Sequence, residues 1–214
     1  MGTQIKKCTI ISGAPDNDID FLKNKICKNS YIICADSGYL NCIKAGFVPN
    51  LIIGDFDSSK KPNIDCEIIT LEVEKAFTDS FHCVMEAINR GYNDIQIFCA
   101  IGSRVDHTYS NILSLDYCQK HNVKCSIANR KNRISLICDK GTVNKDYNNF
   151  SLFAFLSDCK GVKIKGAYYT AGFYGKESLD IKQYDQFAQS NFVSEDYAQI
   201  TLESGTLLLI ESND

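Results

Sequence analysis

A chain of 214 residues with 44% hydrophobic and 23% charged positions has an ordinary globular composition, long enough for one large domain or two small ones. Its net charge of −3, without any basic block, excludes a general affinity for nucleic acid, so an anionic ligand must be met by a few local groups or a metal. Nowhere do eighteen apolar residues run together, so no membrane span is expected.

The eleven cysteines are an odd number scattered from Cys8 to Cys159, a spacing that fits neither a zinc site nor a secreted disulfide framework. Most fall in apolar segments, Cys34, Cys83, Cys99 and Cys138 among them, where a reduced thiol acts as a small hydrophobe. A reducing, cytoplasmic location is expected. The amino terminus, MGTQIKKCTIISG, lacks the long apolar core of a signal peptide, and Lys6 stands where a myristoylation signal wants Ser or Thr.

In chain order, residues 7–12 (KCTIIS) form the first strand candidate, closed by Gly13-Ala14-Pro15-Asp16. A helix is expected at about 18–28, where Ile19, Leu22 and Ile26 fall at spacings of three and four. Tyr31 to Ala35 is a second apolar run, ending in Asp36-Ser37-Gly38. Tyr39, Leu40, Ile43 and Ala45 then suggest a helix stopped by Gly46 and Pro49. A third strand covers Leu51 to Ile53, and residues 67–71 form another. Residues 79–90 read as a helix with Phe81, Val84, Met85 and Ile88 on one face. A strand at 95–101, a helix at 106–121 with Tyr109, Ile112, Leu113 and Tyr117 on one face, and a strand at 123–128 complete the series. This alternation predicts an α/β catalytic domain over residues 1–128, a Rossmann-like, mostly parallel sheet with helices on both faces and right-handed crossovers.

The pattern changes at residues 129–133 (NRKNR), a polar, basic stretch that reads as a linker. From 134 to 214 no helical period of useful length appears. Short runs at 134–138, 150–156, 161–164, 190–193, 197–203 and 206–210 are separated by turn residues such as Asp139-Lys140-Gly141, Gly166, Gly172, Gly175 and Ser204-Gly205. A small C-terminal antiparallel β-sandwich is expected. About 80 residues is small for such a unit, so support from the first domain or from a second copy of the chain is expected as well.

The third strand ends in Gly54-Asp55-Phe56-Asp57-Ser58-Ser59. In an extended chain residues i and i+2 point the same way, so Asp55 and Asp57 would project together past the carboxyl end of a parallel strand, where open α/β sheets bind ligands. Two close carboxylates repel, and a hard cation such as Mg²⁺, which completes its shell with water and substrate phosphates, relieves the repulsion. The alternative is an acidic turn in which Asp57, Ser58 and Ser59 cap the next segment of chain. Lys75-Ala76-Phe77-Thr78-Asp79 opens a helix whose free amides favour a phosphate, with Asp79 as a further metal ligand or, with Thr78, as a simple cap. Gly102-Ser103-Arg104-Val105-Asp106-His107 opens another. There Arg104 matches phosphate oxygens, Asp106 is placed as an N-cap, and His107 is either a proton donor to phosphate or a structural hydrogen-bonding group. Asp36 and Gly38 lie in a loop that would support a nucleotide or form a tight turn before a helix.

None of these loops is specific alone, but their order is. ADSG at 35–38, LIIGDFDSS at 51–59, KAFTD at 75–79 and AIGSRVDHTYSNIL at 100–113 follow one another as the corresponding motifs do in thiamine pyrophosphokinases. Residues 189–192 (QSNF) and 203–209 (ESGTLLL) resemble the same family's S-N-x-F and S-x-G-x-L-L segments, so the likeness spans nearly the whole chain. The resemblance implies that Asp55, Asp57 and Asp79 hold Mg²⁺ and the phosphates of the co-substrate ATP, with Thr78 and Arg104 contacting phosphate. It implies a thiamine-binding sandwich over residues 134–214 and a homodimer whose sites are shared between chains. In that family the hydroxyethyl oxygen of thiamine attacks the β-phosphorus of ATP, so diphosphate moves and AMP leaves. Such a transfer needs in-line positioning and charge neutralisation by metal and Arg. An aspartate would serve as any base the alcohol requires.

Ala76 stands where the family has an acidic residue, Ser37 and Ser103 replace glycines, and residues 184–188 depart from the usual G-S-T-L run. Tyr168-Tyr169 occupies the place of an aromatic residue before the thiamine loop. Tyr169 would stack on a cationic ring, which is favourable by about 1 kcal/mol, or serve as an ordinary sandwich tyrosine. With Ser190 and Asn191 it makes up the expected substrate-binding set. The competing readings are a pyrophosphokinase acting on another alcohol, such as a pterin methanol, and a non-catalytic thiamine or nucleotide sensor.

Overall fold

The computed structural model describes residues 4–15, 18–57, 62–186 and 188–214. The turn residue Asp16 and the capping candidates Ser58 and Ser59 lie outside the described residues. The chain divides into two compact units, Met1–Arg130 and Lys131–Asp214.

The first unit alternates strand and helix: β1 (Lys7–Ile11), α1 (Ile19–Lys25), β2 (Tyr31–Ala35), α2 (Gly38–Lys44), β3 (Leu51–Gly54), β4 (Glu67–Thr70), α3 (Asp79–Asn89), β5 (Asp94–Phe98), α4 (Val105–Lys120) and β6 (Lys124–Ala128). All pairings among its strands are parallel, in the order β4-β3-β2-β1-β5-β6. Short runs such as Ile10-Ile11, Ile32-Ile33-Cys34 and Leu51-Ile52-Ile53 are buried throughout, as strands covered on both faces must be. Ile11, Cys34, Ile52 and Phe98 pack with Leu22 and Ile26 of the α1 segment and with Cys42 and Ala45 of the α2 segment. The intervening Ile10, Ile33 and Ile53 are equally buried, and α3 lies against β1, β2 and β3. Helix α1 starts where the Asp18 carboxylate accepts from the Phe21 N–H and ends three residues short of the expected limit, because Ile26 is already extended. All eleven cysteines are free thiols, and most are buried in apolar surroundings.

The second unit is antiparallel. Strands β7 (Asn132–Ile137), β8 (Lys140–Val143), β9 (Asn149–Ala154), β10 (Cys159–Lys165), β11 (Leu179–Ile181), β12 (Ala198–Thr201) and β13 (Leu207–Ser212) form one sheet ordered β7-β13-β9 and another ordered β11-β10-β12-β8. Inward residues of both, including Phe150, Leu152, Leu207, Val162, Ile200 and Ile181, share one core. Three expectations fail here for identifiable reasons. Asn132 and Arg133, read as linker, open β7, because the Arg133 charge is neutralised by the nearly inaccessible Glu211 carboxylate, with Nη2–Oε1 at 2.6 Å. Lys140-Gly141, read as a turn, belongs to β8, where glycine leaves room for the Ile137 side chain. Residues 190–193 make only isolated bridges through Asn191 and Val193, since Ser190 adopts a positive φ of 54°. Among the described residues no helix is long and apolar enough to cross a membrane.

Candidate functional site

Strand order in the first unit reverses at β1, which pairs with β2 on one side and with β5 on the other. The chain leaving β1 and the chain leaving β5 must diverge there, and a crevice opens at the carboxyl ends of the strands. A cavity of about 350 Å³ lies at this point, with walls from residues 12–15 after β1, 35–37 after β2, 75–80 before and within α3, and 99–111 after β5 and within α4.

Sharp turns shape the strand ends around it. Asp36, Phe56 and Cys99, each just past a strand end, have φ of 44°, 52° and 54°, a region that non-glycine residues seldom occupy. The Asp36 N–H donates to the Ile53 carbonyl at 2.8 Å, and the Ala14 N–H donates to the Cys99 carbonyl at 2.9 Å, so these turns are pinned to neighbouring strands. Two glycines are required by close approach. A Cβ at Gly38 would sit 2.1 Å from the Ile11 carbonyl oxygen, and one at Gly54 would sit 2.9 Å from the Asp36 Cα.

The left-handed turn at Phe56 overturns the expectation that Asp55 and Asp57 project together from an extended chain. Asp57 is exposed, and its N–H donates to Asp55 Oδ1 at 3.2 Å. Asp55 turns instead toward Lys75, whose ammonium forms a close ion pair with Asp55 Oδ2 and lies 3.0 Å from Asp79 Oδ1. The Asp79 contact is an ion pair without hydrogen-bond alignment: Asp79 Oδ1 and Asp36 Oδ1 are buried oxygens with no hydrogen-bond partner. Hydrogen bonding to Lys75 holds the Asp55 carboxyl below its ordinary range. Burial pushes Asp79 up, against the pull of Lys75 and with the help of the Asp55 and Asp36 charges. Burial works against the Lys75 ammonium, but Asp55 and Asp79 outweigh it and raise its pKa.

Thr78 caps α3, its hydroxyl accepting from the Phe81 N–H at 3.2 Å, which leaves Asp79 in the first turn facing the cavity. Asp106 does not cap α4. The helix begins one residue earlier, at Val105, and Asp106 in its first turn is bound by Arg104 at 2.6 Å, which lowers the Asp106 pKa. Asp36, Thr78, Asp79, Arg104 and His107 therefore line the cavity, whereas Gly38, Asp55, Asp57 and Asp106 stand outside its lining. Sequence reasoning assigned no role to Lys75 or to Asn111, which also line it. Lys75 sits in a motif already singled out, and a cation beside three aspartates was its available signal. Asn111 on α4 is buried and donates to the Ala100 carbonyl at 2.8 Å, tying the loop after β5 to the helix.

Of the residues singled out in the second unit, Tyr169 belongs to an aromatic cluster, edge-on to Tyr168 at 4.9 Å and to Phe173 at 5.0 Å, while Tyr168 stacks on Phe192. Phe173 is 58% exposed and Tyr168 53%, so the cluster offers apolar faces to solvent. Asn191 is buried, and its amide bonds the Tyr169 N–H at 2.9 Å and carbonyl at 2.7 Å; its side chain fixes Tyr169. Ser190 donates its N–H to Ser151 Oγ at 3.0 Å.

Residues 22–127 match the family described as thiamin pyrophosphokinase, catalytic domain. The thiamine pyrophosphokinase of Bacillus subtilis is 26% identical over 219 residues, which cover 98% of this chain and all of that one. Solved structures of the Bacillus subtilis and Geobacillus thermodenitrificans enzymes superpose with TM-scores of 0.88 and 0.83 at 24% and 22% identity. They match 98% and 97% of this chain and 100% and 98% of theirs. The thiamin pyrophosphokinase of Candida albicans shares the fold at a TM-score of 0.72 and 17% identity, over 97% of this chain and 89% of its own. With the ordered motifs, the catalytic-domain match and the fold in agreement, the chain belongs to the thiamine pyrophosphokinase family.

Proposed function

We propose that the protein transfers diphosphate from ATP to the hydroxyethyl oxygen of thiamine, giving thiamine diphosphate and AMP. The observation that carries this reading is the cavity at the β1/β5 reversal, where the starts of α3 and α4, Arg104 and a group of carboxylates converge. Helix starts and a guanidinium suit a polyphosphate. The carboxylate oxygens suit Mg²⁺, and Asp79 Oδ1, ion-paired with Lys75 but without a hydrogen bond, is a hard ligand of the required kind. Among the described residues no three acidic, His or Cys side chains stand gathered as a finished metal site. Asp55, Asp57 and Asp79 would hold Mg²⁺, which would supply neutralisation of the phosphate charge. Thr78 and Arg104 would contact phosphate, Asp36, Gly38, Asp106 and His107 would support the nucleotide, and Tyr169, held by Asn191 beside Ser190, would offer a ring face to thiamine. A homodimer in the cytoplasm belongs to the same reading.

The test is incubation of purified protein with ATP, Mg²⁺ and thiamine, followed by chromatography for AMP and thiamine diphosphate, with EDTA and Asp79→Asn as controls. Equal, metal-dependent yields of both products are expected. Binding without AMP would favour a sensor, and AMP formed only with another alcohol would move the chain to a related pyrophosphokinase. Light scattering of the same preparation checks the dimer.

A further inference from the structure

Asp36, Asp55 and Asp79 bring three carboxylates to one end of the sheet, and the ammonium of Lys75 is paired with two of them. The Lys75 side chain is only 15% exposed and lines the cavity. The other strong cation there, Arg104, is largely exposed and already engaged with Asp106. Lys75 therefore stands where a divalent cation would draw its ligands. A bare cation seeking Asp55 and Asp79 must displace the ammonium from both ion pairs within a partly buried wall, which is costly. A metal–polyphosphate complex brings its own anionic oxygens to receive that ammonium.

On this ground we propose that Lys75 is an internal counter-cation that weakens binding of free Mg²⁺ and passes Asp55 and Asp79 to the metal far more readily when a polyphosphate arrives to accept its ammonium. The proposal rests on the functional reading above and deepens it: the protein takes the metal–nucleotide complex in preference to the separate ion. Lys75 is in this sense a positioning residue, bridging the ligand carboxylates until the substrate enters. Its effect is a coupling between two ligands, and such coupling is reciprocal.

The experiment uses MgCl₂ alone, without nucleotide, and follows calorimetric affinity and thermal midpoint of wild type, Lys75→Gln and Lys75→Arg. Removing the ammonium is expected to tighten free Mg²⁺ binding by about tenfold, within the range usual for coupled sites, whereas Lys75→Arg keeps the weak binding of wild type. Equal or weaker Mg²⁺ binding by Lys75→Gln overturns the proposal. Should Lys75→Gln not fold, the wild type still decides. Acetylation of Lys75, quantified by peptide mass spectrometry, is expected to rise severalfold in saturating MgCl₂ and to stay unchanged in NaCl of equal ionic strength. No rise where Mg²⁺ is bound overturns it equally. The product assay on the same wild-type preparation separates the two readings: turnover with unaltered Mg²⁺ affinity in Lys75→Gln sinks the counter-cation alone, and no turnover with thiamine sinks the reading beneath it.

Discussion

In the parallel-sheet unit Asp36 and Asp79 keep buried oxygens with no hydrogen-bond partner, whereas in the antiparallel unit the buried carboxylate of Glu211 receives two N–H bonds from Arg133. The first arrangement sits at a strand end and a helix start, Asp36 with a positive φ just past β2 and Asp79 in the first turn of α3. The second sits within paired strands, where Glu211 and Arg133 are directly opposed between β13 and β7. A buried carboxylate oxygen left without a hydrogen bond lowers stability and has a reason to be kept where a ligand completes it. One that is fully bonded serves the fold. The contrast assigns ligand chemistry to the ends of β2 and β3 and the start of α3, and architecture to Arg133 and Glu211.

The largest expected effect falls on the architectural pair. Arg133→Met strands a carboxylate that is 2% exposed, and a loss of about 3–5 kcal/mol is expected by urea unfolding. A loss below about 1 kcal/mol would erase the distinction drawn between the units. Asp79→Asn is expected to do the opposite: activity falls by about 10²–10³-fold, as for removal of one electrostatic contact in an active site, while stability holds or rises. The sign follows from burial, which raises the Asp79 pKa, so that ionising this group in the folded state opposes folding. Steady-state rates and unfolding midpoints measured on the same variant check both halves.

Asp55 sharpens the comparison through pH. Lys75 lowers its folded pKa below the ordinary 3.8, so its contribution is complete above that value and is lost as pH falls through the lowered one. The stability gap between wild type and Asp55→Asn should therefore narrow on acidification from about pH 6 to about pH 3. A gap that widens would mean that Lys75 does not stabilise this carboxylate. The smallest effect is expected at Phe173, which is more than half exposed: Phe173→Ala should change stability by less than about 0.5 kcal/mol. Under the proposed function it should also raise the KM for thiamine severalfold and leave that for ATP alone. A stability loss as large as that of Arg133→Met would make the aromatic cluster part of the core.

Much of the first unit was legible because strands such as β2 and β3 are short apolar runs, as burial on both faces demands, and the helices show interrupted ones. In the second unit the clean alternation of Ala198, Ile200 and Leu202 marked β12 because only one face of that strand is buried. Strands β8 and β11 escaped because Lys140-Gly141 carries turn chemistry and Leu179–Ile181 is only three residues long. The site was legible as a set of loops. Asp106 was misread because N-cap preference is a local statistic, while the helix start was set by Val105 adopting helical geometry one residue earlier.

By itself the sequence determined the strands and helices of the first unit, which glycine and aspartate loops come after them, and the family those loops resemble, since all of these depend on neighbours a few residues apart. Only the tertiary structure decided the rest. Strand order brought the loops after β1 and β5 to one crevice, and the turn at Phe56 sent Asp57 outward. Lys75 met Asp55 across twenty residues of chain, and Arg133 found Glu211 across seventy-eight. Pairings of that separation depend on how sheets order their strands and on what burial demands of a charge, and no local pattern encodes either.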